Sequence, residues 1–478
     1  MEPSLPLLKA LMPKVPLMGK TALYHALGLS ESSKQVDLRT ALIVNVIRSF
    51  VVDNPAPVSK VQHLSLRDPG IKGRIWISKV TLAAAPGEDD DVRKAVFEAI
   101  EGLKEPGDAP RGYREPELRP VEAEWTAYRA DAAKDAPLPD VSEREKYDAM
   151  MREVSSPTTV LYFHGGGYYL MDPASHRPTT QKLAKLTKGR CLSVRYRLAP
   201  QNPFPSALID ALVSYLSLLY PPPGSLHAPV DPRHIVLAGD SAGGNLCLVL
   251  VQTLLELRRQ NRSTILWAGA QRDLPLPAGL ALCSPWADVA HSSPSCEANA
   301  AWDYLPAPSR ALHHPPCAAW PADPPRRHLY AETALLAHPL VSPLAARSWE
   351  GACPMYIGTG TELLTDEDKT VAALAARQGV PVVFEEWTGM PHCFAMLLGG
   401  LPASARYFTS WAGFARDVVE EPARVRTRGV RVLPKSLLEE PLEVTGLVPW
   451  TFEEARERLR ERVRVMAEAG PELPLAKL

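Results

Sequence analysis

A serine framed by glycines, between two apolar runs of different period, constrains this chain most. His234-Ile235-Val236-Leu237-Ala238 reads as a buried parallel strand, and so as part of an α/β architecture. Gly239-Asp240-Ser241-Ala242-Gly243-Gly244 follows, and Asn245 to Gln252 continues as an apolar helix. A strand turning this sharply into a helix strains the backbone at the serine. Gly239 and Gly243 keep the turn free of side-chain clashes. Ser241 is lifted above the sheet, and the helix N-terminus beneath it favours negative charge. The pattern fits the Gly-x-Ser-x-Gly turn that presents a nucleophile.

A second motif, His164-Gly165-Gly166-Gly167, follows another buried strand, Thr158 to Phe163. Backbone N–H groups stabilise an oxyanion only where no side chain blocks the approach, which three glycines allow. The expected donors are Gly166 and Gly167, with Gly165 as a further candidate, and the N–H of Ala242 after the nucleophile. Each such donor is worth roughly 10²–10³ in rate. His164 reads as structural, holding the loop by a hydrogen bond. Asp240 reads as a brace for the turn. Tyr168 and Tyr169, beside the loop, either line the substrate pocket or pack against a cap, and the sequence leaves both open.

With YRLAPQNPFPSALIDA (196–211), GTGTELLTDE (358–367) and MPHCF (390–394), these motifs make the chain resemble the hormone-sensitive-lipase-like α/β-hydrolases, a group of carboxylesterases and lipases. The resemblance covers roughly residues 155–415, and the stretch at about 287–345 and the N-terminal segment around Gly19–Arg48 are similar to fungal members. It implies an eight-stranded, mostly parallel sheet with helices on both faces and a helical cap over the site. In this fold the chain order is serine, acid, histidine. The resemblance implies His392 as the base, in its Pro-His-x-Phe setting. It implies Glu362 as the acid, where the family usually has aspartate. Glutamate can also fix the imidazole tautomer and stabilise the imidazolium. Asp366 is the alternative acid, although it suits the first turn of the next helix.

The chain has 478 residues, enough for one large α/β domain with appendages. Three regions are expected: a helical cap segment over 1–70, a catalytic domain over 71–420 with a cap insertion at about 287–345, and a C-terminal helical extension over 421–478. In the first, Leu38, Ala41, Leu42, Val46 and Phe50 fall on one helical face. In the last, Thr451 to Glu454 reads as a capping box, and Phe452, Ala455, Leu459, Val463 and Met466 form one apolar stripe. That stripe suits docking on the body or a homodimer contact.

A net charge of −1 gives no reason to expect nucleic acid as a partner. Seven cysteines without a C-x-x-C pair argue against a disulfide framework or a metal cluster. Cys393 stands beside His392. No cofactor is expected. The acidic, proline-interrupted N-terminus reads as lacking a signal peptide, and no run is long enough to span a bilayer, so a cytoplasmic location is expected. The expected partner is a small-molecule ester with a short acyl chain. The same groups would serve an acyltransferase, a lactonase or a lyase. A non-catalytic ligand receptor is disfavoured because serine and histidine are both present.

Overall fold

A computed structural model describes residues 11–30, 33, 36–53, 55–82, 90–105, 113–310 and 314–469. Residues 1–10, part of the stretch read as lacking a signal peptide, lie outside them.

The strands are β1 (Ile75–Leu82), β2 (Val121–Tyr128), β3 (Thr159–Phe163), β4 (Arg190–Arg195), β5 (Ile235–Asp240), β6 (Thr264–Trp267), β7 (Ala270–Asp273), β8 (Gly279–Cys283), β9 (Met355–Gly360), β10 (Val382–Trp387), β11 (Arg428–Val432) and β12 (Glu439–Leu442). The main helices are α1 (Val15–Ala26), α2 (Leu38–Val51), α3 (Val58–Ser65), α4 (Asp90–Gly102), α5 (Glu143–Met151), α6 (Pro173–Thr187), α7 (Ser206–Leu219), α8 (Ala242–Arg259), α9 (Ser295–Ala298), α10 (Thr365–Arg377), α11 (Phe394–Leu397), α12 (Pro402–Glu420) and α13 (Phe452–Glu468).

The main sheet runs β1-β2-β4-β3-β5-β8-β9-β10-β11-β12. It is parallel from β4 to β11 and antiparallel at both ends. Side chains alternate between two cores, as strands covered on both faces require. From β3, Leu161 and Phe163 enter the core shared with α4, α7 and α8, while Val160 and Tyr162 enter the one shared with α6 and α12. The order β4-β3-β5 reverses direction at β3. The crevice between the ends of β3 and β5 is therefore a topological switch point, where ligands bind in open α/β sheets.

The eight expected strands are present, and the sheet then continues by β11 and β12. Both come from the C-terminal extension, so its reading as helical is corrected for 428–442. These two strands are only five and four residues long, too short for a clear alternation signal. The β6–β7 hairpin was likewise not expected. Its two-residue turn, Ala268-Gly269, has positive φ at both positions, the twist that matches two antiparallel strands.

Asp37 caps α2 by accepting from Thr40 N–H at 2.7 Å. The buried face of α2 is Thr40, Ala41, Val44 and Ser49. It is rotated from the expected stripe, and Leu38 and Phe50 are exposed. At the other end Thr451 and Glu454 form the capping box of α13. Ala455, Leu459 and Val463 are buried in the body, with Phe452 and Met466 packed beside them. The stripe packs on this chain's own core.

Candidate functional site

Loops at the carboxyl ends of β3, β5, β8, β9 and β10 converge above the switch point. Ser241 follows β5 and caps α8, with φ 51° and ψ −121°, a left-handed conformation unusual for a residue with a side chain. Its N–H donates to Cys283 O at 3.0 Å, and its carbonyl accepts from Asn245 N–H and Trp286 N–H, both at 3.0 Å. These bonds hold the strained residue in place. The glycines explain the turn: a Cβ on Gly243 would collide with the Phe163 carbonyl, and one on Gly239 would lie 2.7 Å from the same oxygen. Ala242 is the first residue of α8, so its N–H has no partner within the helix.

The glycine loop after β3 folds back over this turn. Gly166 and Gly167 have φ of 109° and 61°. Gly165 departs from its expected role as an oxyanion donor. Its N–H donates to Asp240 Oδ1 at 3.1 Å and is committed to bracing the elbow. Asp240 also accepts from Tyr162 O–H at 2.6 Å and pairs with His176 Nε2 at 3.3 Å. His164 is buried, bonds the Gly165 carbonyl through Nδ1 at 2.7 Å and stacks on Tyr196 at 4.3 Å. Burial, with His176 nearby, lowers its pKa to about 3, so the ring stays neutral and structural. Tyr196 O–H donates to His164 O at 2.7 Å. Outside the loop, Gln62 of α3 donates to Tyr169 O and Ala199 O at 3.0 and 2.8 Å.

The two tyrosines left open by sequence differ. Tyr168 is fully buried, stacked on Tyr330 at 3.7 Å, and its hydroxyl donates to Asn245 Oδ1 at 2.6 Å. It ties the glycine loop to α8 and to the insertion, and its hydroxyl is engaged there. Tyr169 is half-buried against the core, its ring edge-on to His314 at 5.9 Å.

On the other side, Glu362 is fully buried. One oxygen accepts from Gly360 N–H at 2.9 Å, Thr359 O–H at 3.0 Å and Ser284 O–H at 2.5 Å; the other bonds His392 Nδ1. Gly360 permits the approach, since a Cβ there would collide with the Met390 carbonyl. Burial disfavours charge on both partners. Their mutual attraction outweighs it, so the Glu362 pKa is lowered and the His392 pKa raised. The same contacts bring Ser284, next to Cys283, onto both the acid and the base loop, since its hydroxyl also accepts from Cys393 N–H at 3.3 Å. Ser241 is thus linked through Cys283 and Ser284 to the Glu362–His392 pair. Asp366 faces away, accepting from Ser295 N–H at 2.9 Å.

Sequence reading missed Ser284, Asn299, Asp303 and Tyr304. Asn299 Nδ2 donates to Glu362 O at 2.9 Å, and the Tyr304 ring stands edge-on to His392 at 6.0 Å. They lie in or before the insertion, where no local motif marks them; a lone acid in Ala300-Ala301-Trp302-Asp303-Tyr304 was the available signal. Cys393 Sγ lies 3.5 Å from His392 Nε2. All seven cysteines are free, and no group of three metal-ligating side chains is placed to hold an ion among the described residues. No helix among the described residues is long and apolar enough to cross a membrane.

A buried Glu362–His392 pair and a serine on a strand–helix elbow share the carboxyl-end side of a largely parallel sheet, around its switch point, and the frame is of the α/β class. The family model described as alpha/beta hydrolase fold matches residues 160–396. An acetyl-hydrolase of Streptomyces hygroscopicus is 33% identical over 268 residues, 55% of this chain and 77% of that protein. An esterase of Acinetobacter venetianus is 28% identical, over 56% and 77%. The crystal structure of EstE5 soaked with p-nitrophenyl butyrate superposes with a TM-score of 0.53 at 22% identity, over 80% of this chain and 99% of that one. The chain belongs to the α/β-hydrolase family.

Proposed function

We propose that this protein is a serine carboxylic-ester hydrolase of the hormone-sensitive-lipase-like kind, acting on small-molecule esters with short acyl chains. The observation that carries the reading is the buried Glu362–His392 hydrogen bond, joined through Ser284 to the strained elbow at Ser241. The names of the acetyl-hydrolase and esterase relatives support the same chemistry. In this reading Ser241 Oγ attacks the ester carbonyl as His392 Nε2 takes its proton. The N–H groups of Gly166, Gly167 and Ala242 hold the oxyanion. His392 then protonates the leaving alcohol, and water, activated by the same ring, releases the acid. Glu362 keeps the imidazole tautomer and faces the imidazolium, without taking the proton itself.

We assign the cap to residues 1–70 and about 287–345. Gln62 on the glycine loop, and Arg48 on the carbonyls of Ala300 and Ala301, support that assignment. A walled pocket limits how much acyl chain leaves water, at roughly 0.8 kcal/mol per methylene. For p-nitrophenyl esters, kcat/KM is expected to peak at or below about C6 and to fall by C12, given that burial term. A series of acyl lengths assayed with the whole protein tests both statements. No turnover above the blank would remove the hydrolase reading, and a maximum at C12 would remove the short pocket.

The pH dependence follows from the pair. His392 must be neutral to act as base, so kcat/KM is lost as pH falls through its pKa. Burial opposes the charged ring, but the Glu362 carboxylate raises that pKa. The acid limb is therefore expected above the ordinary histidine value of about 6.5. A kcat/KM–pH profile with its limb below that value would contradict the paired geometry.

A further inference from the structure

The insertion between β8 and β9 carries a buried charge that the mechanism above does not use. Asp303 is fully buried. Its Oδ1 accepts from the backbone N–H of His392 at 3.3 Å and of Tyr304 at 2.7 Å. Its Oδ2 accepts from Leu363 N–H at 3.0 Å, one residue after Glu362. The two oxygens of one carboxylate therefore hold the loop bearing the base and the loop bearing the acid. The same stretch grips the acid loop twice more: Asn299 on Glu362 O, and Ser295 O–H on Leu363 O at 2.6 Å.

On its far side this stretch is tied to the N-terminal helix. Arg48 of α2 donates through Nε to Asp303 O at 2.9 Å, and through Nη2 to Ala300 O and Ala301 O at 2.9 and 3.0 Å. A carboxylate buried near Glu362 is unfavourable unless donors and a cation face it. Here the donors are backbone N–H groups of the two loops and of Tyr304, and the nearby cations are Arg48 and, when protonated, the His392 ring. Burial and Glu362 push the Asp303 pKa up, His392 pulls it down, and Asp303 in turn favours the charged form of His392.

We propose that Asp303 is a positioning residue: its carboxylate sets the spacing between the His392 loop and the Glu362 loop, and Arg48 latches it in place from the N-terminal helix. The cap and the acid–base pair are then one hydrogen-bonded unit. This inference rests on the Ser241–Glu362–His392 reading of the preceding subsection.

The test is Asp303→Asn in the full chain, assayed on p-nitrophenyl butyrate as a function of pH, with thermal unfolding as the control for folding. The variant keeps one acceptor oxygen but loses the charge and the bond to Leu363. Expected is a fall in kcat of about 10- to 100-fold with little change in KM, the cost of a small misplacement of catalytic groups. The acid limb is expected to move to lower pH, because a negative charge facing His392 is gone. The other titratable groups facing His392 remain: Glu362, Asp240, His291, Tyr304 and the Cys393 thiol. So does Arg48, on the other side of Asp303. A merely structural aspartate would lower the melting temperature and leave the limb where it was. A folded Asp303→Asn with unchanged kcat and unchanged limb overturns the proposal.

Should that variant not fold, Arg48→Met decides. A kcat loss of about tenfold at unchanged KM supports the latch. A raised KM at unchanged kcat makes Arg48 a substrate wall only and overturns it. Turnover retained by a folded Ser241→Ala would sink the underlying reading instead, whatever Asp303 does.

Discussion

Ser241→Ala is expected to lower kcat for short p-nitrophenyl esters by about 10⁴- to 10⁶-fold, with the thermal transition nearly unchanged. The size follows from what remains. The glycine-loop donors and the pocket would still act, but no hydroxyl would stand on the elbow over the start of α8. Two neighbouring groups could be imagined as substitutes. Ser284 O–H is committed to Glu362 at 2.5 Å. The Cys393 thiol lies beside His392 Nε2, but burial holds its pKa well above the ordinary thiol value and disfavours the thiolate. Neither replaces Ser241 without a rearrangement of the loops. The fold should survive, because the bonds at residue 241 are made by its backbone. Circular dichroism and steady-state kinetics on the same preparation check the result. Wild-type turnover in a folded Ser241→Ala would eliminate the covalent route.

Glu362→Gln is expected to cost about 10⁴ in kcat, and Asp366→Asn no more than about threefold. Glu362 bonds His392 Nδ1 with one oxygen, while its other oxygen is saturated by Thr359, Gly360 and Ser284. An amide there cannot accept from all of these partners and also hold the imidazole in its working tautomer. It also removes the charge that stabilises the imidazolium. Asp366 touches Ser295 at the start of α9 and no atom of His392. Its loss should be felt through the insertion alone. Kinetics of the two variants at one pH near neutrality rank them, and the reverse ranking would move the acid to Asp366.

Much of the frame is legible in the chain. Buried parallel strands announce themselves as short apolar runs: the stretches Thr158 to Phe163 and His234 to Ala238 form β3 (Thr159–Phe163) and β5 (Ile235–Asp240). Helix ends are equally local: the Thr451–Glu454 box forms because both of its partners lie within four residues. By contrast, β11 and β12 were invisible. β11 is set by pairing alongside β10, 45 residues away in the chain at Val383↔Arg428, and β12 by pairing with β11, not by their own pattern. The rotation of α2 was invisible for the same reason, because its neighbours decide which of its apolar residues are covered.

At the site the division is the same. Sequence by itself determined which residue types stand at which turn: the glycines that let Phe163 and Ser241 approach, the histidine after β10, an acid after β9. These depend on backbone geometry within a few residues. Tertiary structure alone decided how each donor and charge is used. Gly165 gives its N–H to Asp240, Tyr168 is sealed against Tyr330, and Ser284 and Asp303 stand between the acid and the base. A hydrogen bond depends on where two groups meet in space, and Asp303 lies 89 residues from His392 along the chain. No local pattern encodes that meeting; packing of the insertion and of the N-terminal helix onto the loops above the sheet brings it about.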